Sequence, residues 1–226
     1  MPATTNAVPI LALSSHGIDE TIFHISSALL VPVLILVLLA LADVIFETGR
    51  YAIELSSRRG RRFATIEASA DKARLALLAN DRGGAAAALN PVPRSPAMEE
   101  TLAFIVAHAR TPGSDHQLNK ALADFDFDAQ RRLGRTRFLV RAGPALGLMG
   151  TLIPLSPALT GLANGNTTEL TNDLRIAFSV TVVGLFIGAV AFGLSLSRDR
   201  MYGQDLSDLE YVAAVISDPR PAESAA

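Results

Sequence analysis

Three long apolar runs constrain this chain more than any other feature. The first lies within residues 21–46, and the second and third, at 142–163 and 176–197, contain no charged residue. A bilayer core about 30 Å thick requires roughly 20 apolar residues in a helix. The sequence therefore predicts an all-α membrane protein with three transmembrane helices at these positions, and long helices that extend into a cytoplasmic helical region.

The arginines predict how these spans are oriented, because cytoplasmic flanks retain Lys and Arg near the ends of transmembrane helices. No Lys or Arg precedes Arg50. Basic residues then cluster after the first span and before the second, at Arg50, Arg58, Arg59, Arg61, Arg62, Arg131, Arg132, Arg135, Arg137 and Arg141. We therefore predict that the N-terminal segment 1–20 and the loop 164–175 face outward, and that 47–141 and the C-terminal helix and tail at 198–226 are cytoplasmic.

The arginine run at 57–62 has two interpretations. It could contact nucleic acid, or it could anchor the chain at the membrane surface, since anionic inner-leaflet lipids attract juxtamembrane basic clusters. The formal charge of the whole chain is only -2. We favour the membrane anchor and expect the lipid bilayer, not nucleic acid, as the partner of this run.

Turn and capping residues divide the region between the first two spans. The first helix is predicted to continue from the membrane to about Asn80, where Asn and the pair Gly83–Gly84 favour termination. Ser95 and Pro96 predict the start of a helix through His108. A long helix should then begin near Ser114 and enter the second span, and a separate amphipathic helix is expected from Met201 to Ile216.

Small residues distinguish the second and third spans from the bulky first one. They recur at helical spacing at Gly143, Gly147, Gly150, Pro154, Pro157 and Gly161, and at Ala177, Thr181, Gly184, Gly188, Ala191 and Ser195. Lipid provides no hydrophobic drive for helix association, so close packing through small side chains supplies it. We predict that spans two and three pack together in the interior of an assembly and that span one is peripheral.

Thr181 lies within the stripe of span three, and Thr151 lies next to the stripe of span two. Each hydroxyl could bond to the backbone of its own helix, or it could line a hydrated path. Pro154 and Pro157 each remove a backbone donor and leave carbonyls that need partners. The sequence alone leaves both interpretations open.

Nothing in the sequence indicates catalysis. Cysteine is absent, the four histidines lack metal-ligand spacing, and no phosphate-binding loop or nucleophile motif occurs. Asp124, Asp126 and Asp128 resemble the start of a calcium loop, but Ala129 and Arg135 replace its glycine and glutamate, so a solvated helix face is expected. We predict a protein that is not an enzyme, with no cofactor and no metal.

The segments Gly143–Thr151, GPALGLMGT, and Ala177–Leu185, AFSVTVVGL, resemble the signature of the MotA/TolQ/ExbB proton channel family. The resemblance implies a homopentamer in the bacterial cytoplasmic (inner) membrane, with spans two and three lining a pore. It also implies a single-span partner of the ExbD, TolR or MotB type that supplies a membrane aspartate. By matched position, Thr151 and Thr181 would face the pore, and Pro144 would lie near its cytoplasmic mouth.

The resemblance implies a channel-forming subunit of an ion-driven motor complex, with the proton as the expected ion, that couples ion flow to mechanical work. One position departs from the family pattern: ExbB and TolQ often carry a glutamate where this chain has Ile176. The energised process is therefore left open. The alternative function is a non-conducting oligomeric membrane scaffold.

Overall fold

The computed structural model describes residues 9–58 and 63–218 as helices joined by short connections, with no strand in these ranges. The helices are α1 (Pro9–Ala28), α2 (Leu30–Ser57), α3 (Phe63–Leu78), α4 (Arg82–Leu89), α5 (Pro96–His108), α6 (Ser114–Ala163) and α7 (Thr167–Ser217). Three stretches, Glu20–Ser56, Ser114–Ala163 and Leu170–Ser217, are long and apolar enough to cross a membrane. The predicted all-α membrane protein with three transmembrane helices is confirmed.

Some predictions concern residues that the structure does not describe. Arg59, Arg61 and Arg62 of the basic run lie outside the described residues. The same holds for residues 1–8 of the N-terminal segment and for the predicted tail from 219 onward.

The first apolar stretch is interrupted at Leu29, between α1 and α2. The Leu29 N–H donates to the carbonyls of Ile25 and Ser26, at 3.2 and 3.1 Å. Pro32 has no N–H to donate to the carbonyl of Ala28 four residues earlier, which accounts for an interruption at this point. The predicted span at 21–46 therefore includes the end of α1 and the first part of α2.

The prediction that the first helix continues to Asn80 is wrong. Helix α2 ends at Ser57, Arg58 lies in a turn, and α3 begins at Phe63. The predicted stop itself is correct, because Asn80 has a φ of 58° just after α3, a left-handed conformation that asparagine tolerates better than most residues.

Local capping explains where the next helices begin. The Asp81 carboxylate accepts a 2.8 Å hydrogen bond from Gly84 N–H at the start of α4. The Ser95 hydroxyl accepts from Met98 N–H at 3.3 Å, with Pro96 in the first turn of α5. These side chains satisfy donors that a helix start leaves free, and α5 has the predicted bounds.

Helix α6 is one continuous helix that contains Pro144, Pro154 and Pro157, as the sequence predicted for its course from Ser114 into the second span. Helix α7 is longer than predicted. It begins at Thr167, so most of the segment 164–175, predicted as a loop, is helical, and its end includes the segment predicted as a separate helix from Met201.

The chain divides into two compact units, which we describe separately. Unit 1 comprises Met1–Phe46 and Phe138–Phe192. Its buried apolar cluster is formed by Val33, Val37, Val44, Leu139, Val180, Ile187 and Ala191. These residues come from α2, α6 and α7, so the three helices that contain the apolar stretches share one core.

Unit 2 comprises Glu47–Arg137 and Gly193–Ala226. Helices α3, α4 and α5 and the start of α6 provide most of its core, which includes the fully buried Met98 and Ile105. The last turns of α7 complete that core with Leu209, Val212, Ala213 and Ile216. Residues from distant parts of the sequence thus form a single hydrophobic core.

Candidate functional site

Helices α6 and α7 are in backbone contact within unit 1. A Cβ atom placed on Gly184 would lie 2.6 Å from the carbonyl oxygen of Gly143 and 2.7 Å from Cα of Gly147. A Cβ on Gly143 would lie 2.8 Å from the carbonyl oxygen of Gly184. Real Cβ atoms essentially never come closer than 3.0 Å to such atoms. Glycine is therefore required at both positions for this approach.

The neighbouring positions of the two stripes extend this contact. A Cβ on Gly188 would lie 2.8 Å from Cδ of Pro144, and one on Gly147 would lie 3.3 Å from Cα of Gly184. On the next turn of α6, Gly150 packs against the side chain of Val180. We name this region, from Gly143 to Gly150 on α6 and from Val180 to Gly188 on α7, the glycine contact. It gains packing energy from direct van der Waals contact between backbones.

The structure places Thr181 in the glycine contact. Its Oγ1 lies 3.2 Å from the carbonyl oxygen of Gly147 on α6 and 3.1 Å from that of Ala177 on α7. A hydroxyl has one proton and two lone pairs. The single hydroxyl proton of Thr181 is therefore shared between these two carbonyls, while its oxygen retains acceptor capacity on a partly buried side chain.

Thr151 has a different environment. Its hydroxyl donates to the Leu148 carbonyl of the same helix at 2.7 Å. Pro154 lacks the N–H that would otherwise bond to the Gly150 carbonyl. The Thr151 hydroxyl does not replace that bond, because it donates to a different carbonyl. Thr151 thus bonds to the backbone of its own helix, which is the first of the two interpretations of the sequence. Thr181 bonds both within its helix and across the glycine contact.

The structure therefore brings together most, but not all, of the predicted site residues. One contact between two helices contains seven of them: Gly143, Pro144, Gly147, Gly150, Thr181, Gly184 and Gly188. Pro154 is buried one turn beyond Gly150, and Thr151 bonds only within α6. No hydrogen bond joins the two threonines.

The outward faces of α6 and α7 in unit 1 are apolar and exposed. The side chains that are more than half exposed include Leu148 (58%), Leu152 (58%), Phe178 (65%), Val182 (66%) and Phe186 (54%). An apolar surface of this extent is covered by lipid or by protein in a folded membrane protein. These faces are therefore available to lipid or to protein.

Unit 2 contains a buried group of charges that sequence reasoning missed. We name it the Asp205 cluster, formed by Glu54, Arg58, Arg94, Asp205 and Asp208. The Arg58 guanidinium lies 3.0 Å from Glu54 and 2.9 Å from Asp205, and Arg94 lies 2.8 Å from Asp208. The Asp205 side chain is 0% exposed. Arg58 and Asp205 are 147 residues apart in the sequence, so no local pattern could have indicated the pair.

The electrostatics of the Asp205 cluster are set by burial and by its arginines. Burial raises the pKa of the Asp205 carboxyl, and the hydrogen bond and charge of Arg58, together with the charge of Arg94, oppose that rise. Burial likewise raises the pKa of the Asp208 carboxyl against the charge of Arg94. The charged state of Asp205 therefore depends on Arg58.

A second buried pair lies elsewhere in unit 2. The Arg198 guanidinium is 2.5 Å from a Glu47 carboxylate oxygen and 3.2 Å from the Glu47 backbone carbonyl, and it also reaches the Thr136 hydroxyl at 3.4 Å. These bonds join the residue that directly follows the first apolar stretch, Glu47, to the residue that directly follows the third, Arg198. The pair was not predicted, because its members are 151 residues apart.

Three apolar stretches, and a backbone contact between the uncharged segments of α6 and α7, define a polytopic helical membrane protein. Residues 91–200 match the model of the MotA/TolQ/ExbB proton channel family. The predicted resemblance to that family is therefore confirmed over this region. The match includes α5, all of α6 and the part of α7 that forms the glycine contact. Comparisons with curated proteins and with solved structures find no significant match.

Proposed function

We propose that this chain is the channel-forming subunit of an ion-driven motor complex, with the proton as the ion, in a bacterial inner membrane. The observation that supports this proposal most directly is the position of Thr181. Its hydroxyl lies beside the Gly147 carbonyl, where the uncharged segments of α6 and α7 meet inside the region that matches the proton channel family. Hydroxyl and carbonyl oxygens in apolar surroundings are suited to holding water or a hydrated proton.

The proposed assembly is a homopentamer in which α6 and α7 surround a central axis. Pro144, Thr151 and Thr181 would then border the ion path, and α2 would face lipid. The exposed apolar side chains of α6 and α7 support this arrangement, because copies of the same subunit would cover part of them.

The proposal requires a partner. Residues 142–163 and 176–196 carry no Asp or Glu, and the Asp43 side chain of α2 is exposed. A proton that crosses the bilayer in steps needs a titratable group within it. We propose that a single-span protein of the ExbD, TolR or MotB type supplies this group as an aspartate.

The proposed orientation places the N-terminus and the α6–α7 connection outside. Residues 47–141 and the chain from 198 onward would then lie in the cytoplasm. The arginine distribution supports this orientation.

The second candidate is a non-conducting oligomeric scaffold. The hydrogen bonds favour it in one respect, since the Thr151 and Thr181 hydroxyls both donate to backbone carbonyls. In that case the glycine contact serves packing alone, and the threonines satisfy local acceptors.

Thr181→Val separates the two candidates, because valine keeps the shape of threonine and removes the hydroxyl. The wild-type chain and the variant would each be reconstituted in liposomes with the single-span partner, and proton entry would be followed with an internal pH dye. Loss of one hydrogen bond to a charged species costs about 1.5–3 kcal/mol, so we expect roughly a 10- to 100-fold slower flux.

Thr160→Val is the matched control. Thr160 is exposed on the same helix as Thr151, and its hydroxyl bonds to the Ser156 carbonyl one turn earlier. This variant should conduct at the wild-type rate. Flux through the wild-type complex no faster than that through empty liposomes would favour the scaffold. Equal, fast flux through wild type and Thr181→Val, with both complexes intact by gel filtration, would show that the Thr181 hydroxyl is not on the ion path.

A further inference from the structure

We propose that unit 2 contains a binding site for a phosphate-bearing anion, and this proposal does not rest on the channel function. The site is an open cavity of about 800 Å³. Its walls come from the last part of α2, the start of α5, the middle of α6 and the α7 segment around Arg198 and Tyr202. A cavity of this volume accommodates a ligand much larger than a water molecule.

Positive charge dominates the lining of this cavity. It contains six arginines, Arg50, Arg94, Arg131, Arg132, Arg135 and Arg198. The carboxylates in the lining are Glu47, Glu54 and Asp128. The arginines exceed the carboxylates by three, so the cavity has an excess of positive charge and favours an anion.

Two of these arginines are already engaged by the fold. Arg198 is bound to Glu47, and Arg94 is bound to Asp208 of the Asp205 cluster. Their side chains are only 7% and 8% exposed. They form a fixed wall that is positioned by ion pairs and does not depend on a ligand.

The arginines of α6 differ. Arg131, Arg132 and Arg135 are exposed, and none of the three forms a salt bridge with a carboxylate in residues 9–58 or 63–218. With Asp128 they occupy positions i, i+3, i+4 and i+7, which lie on one helix face. Helix α6 thus presents three guanidinium groups to the cavity with one carboxylate among them.

Phosphate is the anion that this lining fits best. Guanidinium groups bind phosphate oxygens through two parallel N–H bonds, and several arginines that converge on one anion relieve their own mutual repulsion. A carboxylate ligand would offer fewer acceptor oxygens to the same donors.

The position of the lining in the sequence favours a phospholipid headgroup as the source of this phosphate. Glu47 immediately follows the apolar stretch 21–46, and Arg198 immediately follows 176–197. Arg135 precedes the stretch 142–163 by two helical turns. Basic pockets next to transmembrane helices bind anionic headgroups. A soluble phosphate compound has the same chemistry, and the experiment separates the two sources.

The test uses the full-length protein in detergent micelles. Native mass spectrometry would measure retention of added phosphatidylglycerol and, separately, of phosphatidylcholine. A parallel arm would add inorganic pyrophosphate as competitor. We expect phosphatidylglycerol to bind about tenfold more tightly than phosphatidylcholine, a difference of about 1.4 kcal/mol.

Variants of the cavity lining should shift this affinity in opposite directions. The double variant Arg131→Gln, Arg135→Gln should weaken phosphatidylglycerol binding about tenfold, because each exposed arginine contributes a modest charge-assisted interaction. Asp128→Asn should strengthen binding about threefold, since it removes a like charge from the site. Both changes lie on an exposed helix face and leave the buried ion pairs intact.

Arg137→Gln is the matched control. Arg137 lies on the same helix, but its guanidinium bonds to Gln130 and Asp199 and does not line the cavity. This variant should bind like the wild type. If it weakens binding as much as the double variant does, or if both lipids bind equally and pyrophosphate does not bind, the proposal fails. If pyrophosphate binds, displaces the lipid and loses affinity in the double variant, the site is confirmed with a soluble source.

Discussion

Replacement of Arg58 by methionine is expected to lower the free energy of unfolding by about 3–5 kcal/mol at neutral pH, because it leaves a buried carboxylate without its main partner. Asp205 is completely buried, and after the change Arg94 would remain as a cation 3.9 Å away. Methionine approximates the length of the removed side chain, so the charge is the main loss. Thermal unfolding in detergent, followed by circular dichroism, should show a midpoint about 6–20 °C lower.

The pH dependence of this variant follows from the direction of the pKa change. Burial already raises the pKa of the Asp205 carboxyl, and Arg58 opposes that rise, so removal of Arg58 should raise the pKa further. The carboxyl is charged above its pKa and neutral below it. The loss of stability should therefore be largest at high pH and should diminish as the pH falls through the raised pKa.

Lys120→Met provides the control for Arg58→Met. Lys120 forms an ion pair with Asp124 on one face of α6, and both side chains are well exposed, at 69% and 60%. Exposed pairs of this type contribute less than about 1 kcal/mol. In addition, Asp205→Asn should restore part of the stability of the Arg58→Met variant. Equal effects of the two methionine variants would show that Asp205 does not depend on Arg58.

Gly184→Ala is expected to destabilise the protein by about 1–3 kcal/mol, although alanine adds only a methyl group. That methyl would overlap the Gly143 carbonyl at 2.6 Å and the Gly147 Cα at 2.7 Å. Both are backbone atoms, so the two helices would have to move apart and lose the glycine contact along its length. The free energy of unfolding in detergent, measured by circular dichroism, should decrease.

Gly193→Ala is the matched control for this change. Gly193 lies on the same helix, and a Cβ at that position would meet nothing within 4 Å. Alanine is favoured over glycine inside a helix by roughly 0.5–1 kcal/mol. The control should therefore be as stable as the wild type or slightly more stable. A Gly184→Ala protein as stable as Gly193→Ala would show that the backbones are not in contact.

Local signals in the sequence were sufficient for much of the fold. The three apolar runs predicted the three spans, because the thickness of the bilayer core fixes how long an apolar helix must be to cross it. Ser95 and Pro96 predicted the start of α5 because capping depends on residues only three positions apart. The absence of proline between Ser114 and Arg141 predicted that α6 would be continuous into the second span.

Features that depend on tertiary contacts were not predicted. The polar residues from Thr167 to Arg175 suggested a loop, but they form the first turns of α7, where polar side chains are compatible with a helix exposed to water. The spacing of small residues indicated which helices pack closely, but not that the Thr181 hydroxyl would reach across to Gly147. The Asp205 cluster joins three distant regions of the chain, so no periodic pattern in the sequence indicated it.

The core of unit 2 also has a consequence for synthesis of the protein. Leu209, Val212, Ala213 and Ile216 complete that core, and they leave the ribosome after all three apolar stretches have been made. The apolar faces of α3, α4 and α5 therefore remain uncovered while the second and third stretches are being inserted into the bilayer. Nascent chains with such exposed surfaces are prone to aggregation. Production of this protein should thus benefit from a chaperone that shields residues 66–109 until α7 is finished.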